Sequence, residues 1–289
     1  MKRMLAMLSF FPLLLGSCSG NGGEKEFSIQ LYSVRELIGN PELYAENHVQ
    51  VLSELAGMGY TGVEAACYND GLLYGVSPEQ FKADIEAAGL KPLSSHVSLA
   101  LSENALMTGD FSVELAWWDK CIAAHKAAGM TYLVMPWFPV PSELDALKRY
   151  CDYFNEIGRR CNEQGLRFGY HNHSHEFIPN DDGSEIHEQL VYRTNLNIEI
   201  DTFWYFNATH RSAVGIMERL KNRIRVIHIK DGFIGGEGKP LGYGEAPVAE
   251  VYAKAAEMGI LMVVESESLK PDGLTEARQC IEFLRSQEK

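Results

Sequence analysis

Four residues of metal-ligating type, His171, Asp201, His228 and Glu265, stand far apart in the sequence, too far for one helix or loop to bring them together. Together they offer two imidazoles and two carboxylates. This mixed nitrogen and oxygen set suits a single divalent ion such as Mn²⁺, Co²⁺, Zn²⁺ or Mg²⁺. Other groups able to move protons or hold a polar substrate accompany them: Gln30, Glu64, His96, Trp137, His173, Glu176, Trp204 and Lys230. An ion that chelates a hydroxyl and carbonyl pair polarises the carbonyl. The neighbouring α-hydrogen then becomes acidic enough for a carboxylate or imidazole base. Returning the proton to the opposite face epimerises, returning it to the next carbon isomerises, and losing a β-substituent eliminates. All three pass through one enediolate, and the residues leave that branch point open.

These side chains meet only if the chain places each at the end of a different, adjacent element. From residue 27 onward, short β-branched runs alternate with long amphipathic stretches. Strands are expected at 27–34, 62–66, 93–99, 132–137, 167–173, 197–203, 225–230 and 261–265. Helices are expected at 41–57, 78–88, 112–128, 142–164, 184–193, 210–221, 247–258 and 273–286. Gly at Ala56-Gly57-Met58-Gly59, Ala88-Gly89, Ala128-Gly129, Gln164-Gly165 and Met258-Gly259 ends the helices before the next strand. Ser77-Pro78-Glu79 and Ser142-Glu143 mark helix starts. Eight βα units in one stretch make an α/β fold, a single (β/α)8 TIM barrel over 27–289. An open doubly wound sheet would carry a glycine-rich turn after its first strand. Here that position reads Gln30-Leu31-Tyr32-Ser33-Val34-Arg35. In a barrel the strand ends carry the chemistry, and these ends are unusually polar.

Tyr170-His171-Asn172-His173 with Glu176-Phe177, Glu199-Ile200-Asp201-Thr202-Phe203-Trp204, His228-Ile229-Lys230-Asp231-Gly232 and Val264-Glu265-Ser266 resemble the sugar phosphate isomerase/epimerase superfamily. These are the xylose isomerase-like barrels, which include inosose dehydratases and endonuclease IV. Gly62-Val63-Glu64, Ser95-His96-Val97 and the opening Ile29-Gln30-Leu31-Tyr32-Ser33-Val34-Arg35 fit as well, so the resemblance spans 27–285. It implies that Asp201, His228 and Glu265 hold the metal, that Glu265 also transfers protons, and that His96 touches substrate. The epimerases place a glutamate on strand five as ligand and second base, whereas this chain has His171 in register. His173, two residues on, shares the inward face by strand alternation, and Glu176 just beyond could restore the carboxylate. His171, His173 and Glu176 therefore compete for the strand-five role.

The remaining features set the context. Lys and Arg number 26 against 39 Asp and Glu, a net charge of −13 that disfavours nucleic acid and anionic membrane surfaces. At 46% hydrophobic and 22% charged the chain can bury a core and is not disordered. Lys2-Arg3, an apolar stretch from Leu5 to Leu15 and Leu15-Gly16-Ser17-Cys18 read as a lipoprotein signal over 1–17. Cys18 is then the lipidated first residue, and 18–26 a flexible tether. The reading is of an exported bacterial lipoprotein, periplasmic or on the cell surface, touching the membrane only through its lipid. Cys67, Cys121, Cys151, Cys161 and Cys280 are an odd number with no C-x-x-C and are expected as free thiols. Gly232 to Gly244 is expected as a flexible loop over the site. A carbohydrate isomerase or epimerase is the leading function. A lyase acting on a 3-keto-glycoside or inosose and a non-catalytic carbohydrate-binding lipoprotein are the alternatives.

Overall fold

The computed structural model describes residues 26–141, 143–180 and 183–288. The signal, Cys18 and nearly all of the tether lie outside the described residues, as does the expected cap Ser142. Eight strands close into a parallel barrel in chain order: β1 (Phe27–Gln30), β2 (Gly62–Ala65), β3 (Lys91–His96), β4 (Tyr132–Met135), β5 (Arg167–His171), β6 (Asn197–Asp201), β7 (Ile224–Ile229) and β8 (Leu261–Val264), which pairs with β1. The surrounding helices are α1 (Pro41–Met58), α2 (Pro78–Ala87), α3 (Ser112–Ala127), α4 (Leu144–Glu163), α5 (Ile186–Arg193), α6 (Val214–Arg219), α7 (Val248–Met258) and α8 (Gly273–Ser286).

Local chemistry sets these limits. Asn40 and Ser77 accept from Leu43 N and Gln80 N, with Pro41 and Pro78 opening α1 and α2. Gly59, left-handed at φ 107°, returns its N–H to Ala56 and Leu55 and releases the chain toward β2. Strand alternation then sorts the side chains. Ile29, Val63, Leu133, Phe168, Ile198, Ile227 and Val264 join the helices in one apolar core, while their polar neighbours fill the barrel interior.

Five strands stop two or more residues short of the expectation, β3 at His96 and β4 at Met135 among them, and at the other three a side chain captures the backbone. β1 stops at Gln30, whose Oε1 accepts from Tyr32 N at 3.1 Å as Leu31–Val34 turn into a 3₁₀ helix. β6 stops at Asp201, whose Oδ1 accepts from Trp204 N at 2.8 Å and caps an unexpected helix, Thr202–Thr209. β5 stops at His171, so alternation does not extend to His173. The 232–244 segment, expected to be a flexible loop, is tied down. Asp231 accepts from Gly232 N, Gly242 N, Gly244 N and Ala246 N at 2.8–3.1 Å. A Cβ at Gly244 would stand 2.2 Å from Asp231 Oδ1, so glycine is required there. Among the described residues no helix is long and apolar enough to cross a membrane. The five described cysteines are free, and all but Cys67 are buried.

One buried group makes the fold sensitive to acid. His187 on α5 packs against Phe177, and neither ring nitrogen has a hydrogen-bond partner. Burial, with Arg219 and Arg223, holds its pKa down to about 3, against 6.5 for a free imidazole. Between those values the unfolded chain binds a proton that the folded chain refuses. Stability present above pH 6.5 therefore falls as pH drops toward 3, by about tenfold in the folding equilibrium per pH unit. Urea midpoints measured from pH 7 to 4 should decline less steeply in His187→Leu than in the wild type. Parallel curves would show that His187 is not buried neutral.

Candidate active site

The polar interior is built in two tiers. The upper tier holds the expected metal set. One ligand atom each from His171, Asp201, His228 and Glu265 lies within 4.8 Å of the other three, and all four residues are buried. His228 Nδ1 stands 3.2 Å from Glu265 Oε2, and His171 Nε2 stands 3.9 Å from Asp201 Oδ2. That Asp201 oxygen is buried with no hydrogen-bond partner, an orphan that a bound cation would satisfy. The donor set fits a divalent metal. Lys230 Nζ sits 3.1 Å from Glu265 Oε2 and 3.8 Å from Asp201 Oδ2, and bonds Glu267.

The lower tier is a hydrogen-bonded floor. Glu64 accepts from Gln30 Nε2 at 2.8 Å and Ser94 Oγ at 2.6 Å, and its Oε1 lies 2.6 Å from His228 Nε2 and 3.0 Å from His96 Nε2. Glu199 Oε1 lies 2.9 Å from His96 Nε2, 3.0 Å from His228 Nε2 and 3.2 Å from His171 Nδ1. Burial works against ionising these acids. The imidazoles nevertheless hold Glu64 below the usual carboxylate range and Glu199 well below it, and Lys230 with His228 does the same for Glu265. Burial likewise opposes protonating His96, yet Glu64 and Glu199 push it up to about 9. Burial and His228 hold His171 well below its ordinary value. Asp201 is the exception among the acids, since burial outweighs Lys230 and pushes it up to about 7.

Above the tiers opens a cavity of about 470 Å³ at the C-terminal mouth of the barrel. Its walls divide by strand. Tyr32, Tyr68, Trp117 and Trp137, from the segments after β1 to β4, form an aromatic side, while His171, His173, Glu265 and Glu267 form the polar side. Among the described residues, none that lines the cavity is Lys or Arg.

Placement corrects several expectations. Trp137, 52% exposed, reaches the cavity as expected, as do His96 and His173. Gln30 and Glu64, expected to touch substrate, are fully buried in the floor because they point inward below the strand ends. Lys230 is also fully buried, held by three carboxylates, with its ammonium 4.9 Å from the centre of the Trp204 ring. Trp204 thus packs on Lys230 and does not line the cavity, since the turn at Asp201 carries it aside. Glu176 is turned away altogether. Its carboxylate accepts from Tyr170 Oη and from His173 N at 2.8 Å, in the apolar shell where Tyr170 meets Phe138 and Phe154. It lies in neither candidate cation set, and His171 is the strand-five side chain in both. Burial and Lys230 hold His173 down to about 4, so at neutral pH it is an uncharged imidazole.

Glu199 and Asp231 were given no role in the sequence reading. The signal for Glu199 was its position two residues before Asp201, hence on the same face and one tier deeper. Asp231, directly after β7, organises the loop that follows it.

A closed eightfold barrel with a buried His/Asp/Glu cluster under a mouth cavity defines a sugar isomerase/epimerase-like TIM barrel. The chain belongs to the xylose isomerase-like TIM barrel family, whose model matches residues 52–287. It is similar to a sugar phosphate isomerase/epimerase from Parabacteroides distasonis, at 26% identity over 90% of this chain and 97% of that one, with a TM-score of 0.77. The fold also matches a D-allulose 3-epimerase from Methylomonas sp. (13% identity, 91% of this chain and 97% of that one, TM-score 0.66). A third match is a D-psicose 3-epimerase from Clostridium cellulolyticum H10 with D-tagatose (14% identity, 91% and 99%, TM-score 0.65). No protein of curated function matches the sequence.

The ligand set has a direct test. Asp201→Ala removes the orphaned oxygen and should weaken binding of Mn²⁺, Co²⁺ or Zn²⁺ by more than ~100-fold, beyond the usual cost of losing an outer partner. Elemental analysis and titration of the purified variant would check this. A full equivalent held at wild-type affinity would refute the assignment.

Proposed function

We propose that the chain is a metal-dependent carbohydrate isomerase or epimerase that works through an enediolate on a sugar or keto-sugar. The observation that carries this reading is the convergence of His171, Asp201, His228 and Glu265 directly beneath an aromatic-walled cavity. A divalent ion held by these four residues would supply Lewis-acid polarisation of a carbonyl. The other roles fall to the chain itself. Trp137 and Tyr32 offer faces for a sugar ring to stack on. Glu265, ionised and held by Lys230, takes the α-proton. His173, uncharged on the β5 side, receives or returns a proton on another face, with His96 in support.

One observation favours a second reading, elimination from a 3-keto-glycoside. A symmetric epimerase needs a second carboxylate opposite Glu265, and the residue that might have restored it, Glu176, is committed to Tyr170 and His173 N. Protonating a leaving group needs a charged imidazole, and of those in the cavity lining it is His96, pushed up to about 9, that carries the proton. Among the described residues the cavity lining is acidic, imidazole, hydroxyl and aromatic, which supports an unphosphorylated substrate in either case. Export, which we also propose from Leu15-Gly16-Ser17-Cys18, agrees with that, since sugar phosphates are scarce outside the cytoplasm.

Products formed from free, phosphorylated and 3-keto sugars in D₂O would decide between the readings. Solvent deuterium should enter at the α-carbon, and His173→Ala should slow exchange by about 10²- to 10⁴-fold. Exchange and turnover both at wild-type rates in His173→Ala would leave His173 without a catalytic role. Preferred turnover of a phosphorylated sugar would contradict the substrate class.

The anchor is tested separately. Cys18→Ser should shift the protein from the membrane to the soluble fraction, because stable anchoring needs more than one acyl chain. Unchanged partition in that variant would exclude lipidation at Cys18.

A further inference from the structure

His171 and His228 each stand between two groups of acids. His171 turns Nε2 toward Asp201 above, at 3.9 Å, and Nδ1 toward Glu199 below, at 3.2 Å. His228 turns Nδ1 toward Glu265 above, at 3.2 Å, and Nε2 toward Glu64 below, at 2.6 Å. Two sets of residues could therefore hold a cation, and they share both rings. The upper set is His171, Asp201, His228 and Glu265. The lower set is His96, His171, Glu199 and His228. A neutral imidazole has one lone pair and one N–H, so it cannot ligate in both directions at once. Something must decide which nitrogen of each ring carries the proton.

The hydrogen bonds differ between the tiers in a way that decides it. Below, Glu199 Oε1 is approached by three imidazole nitrogens, and Glu64 by His96, His228, Gln30 and Ser94. Ionised carboxylates accept only, so they hold whichever nitrogen bears hydrogen. Above, Asp201 Oδ2 has no hydrogen-bond partner, and Glu265 Oε2, 3.2 Å from His228 Nδ1, already accepts from Lys230 Nζ at 3.1 Å, whereas Glu64 below stands closer to His228, at 2.6 Å. His96 Nε2, within 3.0 Å of both Glu64 and Glu199, pins the two acids together.

We infer that Glu199 and Glu64 are positioning residues that hold the N–H of His171 at Nδ1 and of His228 at Nε2, so that both rings present their lone pairs to the upper set and the barrel binds one cation there. Neither acid touches the ion or the substrate. This rests on the metal reading above and adds the two residues that select the nitrogen. Partners of this kind typically contribute 10- to 100-fold to metal affinity.

The experiment titrates metal-free protein with Co²⁺, following visible absorption and competing with a chelator, alongside thermal unfolding of each metal-free protein. Glu199→Gln keeps an acceptor oxygen without the charge, whereas Glu199→Leu removes the acceptor. Affinity should fall about 10-fold in Glu199→Gln and Glu64→Gln, and about 100-fold in Glu199→Leu. The metal-free melting temperatures separate a loss of affinity from a loss of folded protein, because each acid is also the partner of the buried charges on His96 and His228. Wild-type affinity in Glu199→Gln and Glu199→Leu would overturn the inference and leave the upper site standing. Loss of all binding in Glu199→Gln, with binding kept in Asp201→Asn, would place the ion in the lower set and overturn it differently. A wild-type protein that binds no Co²⁺ would sink the metal reading itself and this inference with it.

Discussion

Glu64, Glu199, Asp201 and Glu265 share the barrel interior, where little or no water reaches any of them. Ionised carboxylates there are tolerable only if cations or donors compensate each one. The interior supplies three groups that can do so: His96, pushed up to about 9, His228, raised well above its ordinary value, and Lys230. Four acids against three cations leave one negative charge over. Without metal the chain sheds it at Asp201, whose pKa of about 7 lets it stay protonated near neutrality. A divalent ion held by the upper tier would add two positive charges, which an ionised Asp201 and an uncharged His228 would offset, so the interior would balance with the ion as well. Only Glu267, 28% exposed in its side chain and bonded to Lys230, stands partly in solvent and can be screened there.

The rest of the molecule holds these charges in register. Parallel pairing sets Asp201 opposite His228, His171 opposite Glu199 and Gln30 opposite Glu64, so each tier is assembled from neighbouring strands rather than from distant loops. Acids outside the site fix the segments that follow. Asp231 gathers four backbone N–H groups after β7, and Glu276 on α8 accepts from Ser266, Ser268 and Lys270 N after β8. The residues flanking Lys230 and Glu267 are thus set by hydrogen bonds as well as by packing, as a site on rigid elements requires.

Much of this was readable from the sequence because it follows from period and position. Strand-terminal His171, Asp201, His228 and Glu265 could be named as a set once eight βα units were counted. Depth was less legible. Gln30 and Glu64 belong to the right face, but a residue at a strand end and one a step below it look alike in sequence, and the lower one supports side chains instead of meeting ligand. Glu199 went without a role for the same reason. Chain direction beyond a strand was the other weak point. Whether β5 runs on to His173, or β6 to Phe203, depends on where a side chain captures the backbone. Asp201 does so through Trp204 N, and Glu176 through His173 N, and each diversion sends a polar residue to a place that alternation does not forecast.

The division of the cavity follows from the same arrangement. In the barrel interior, the charged and imidazole side chains other than Glu64 and His96 come from β5, β6 and β7 or from the residue just after β7 or β8, so that half of the mouth carries the candidate cation ligands. The half above β1 to β4 has no such network at its surface, and aromatic side chains from four successive segments fill it, with Tyr32 43% exposed and Trp137 52% exposed. A sugar has one kind of surface for each side: hydroxyl and carbonyl oxygens that can be chelated, and C–H faces that can stack on a ring. The lysine beside the acids, Lys230, is held by Asp201, Glu265 and Glu267. Freeing Lys230 to bind a phosphate would leave those carboxylates uncompensated in the least hydrated part of the barrel. The charge balance of the interior therefore keeps Lys230 on those acids and out of the cavity lining.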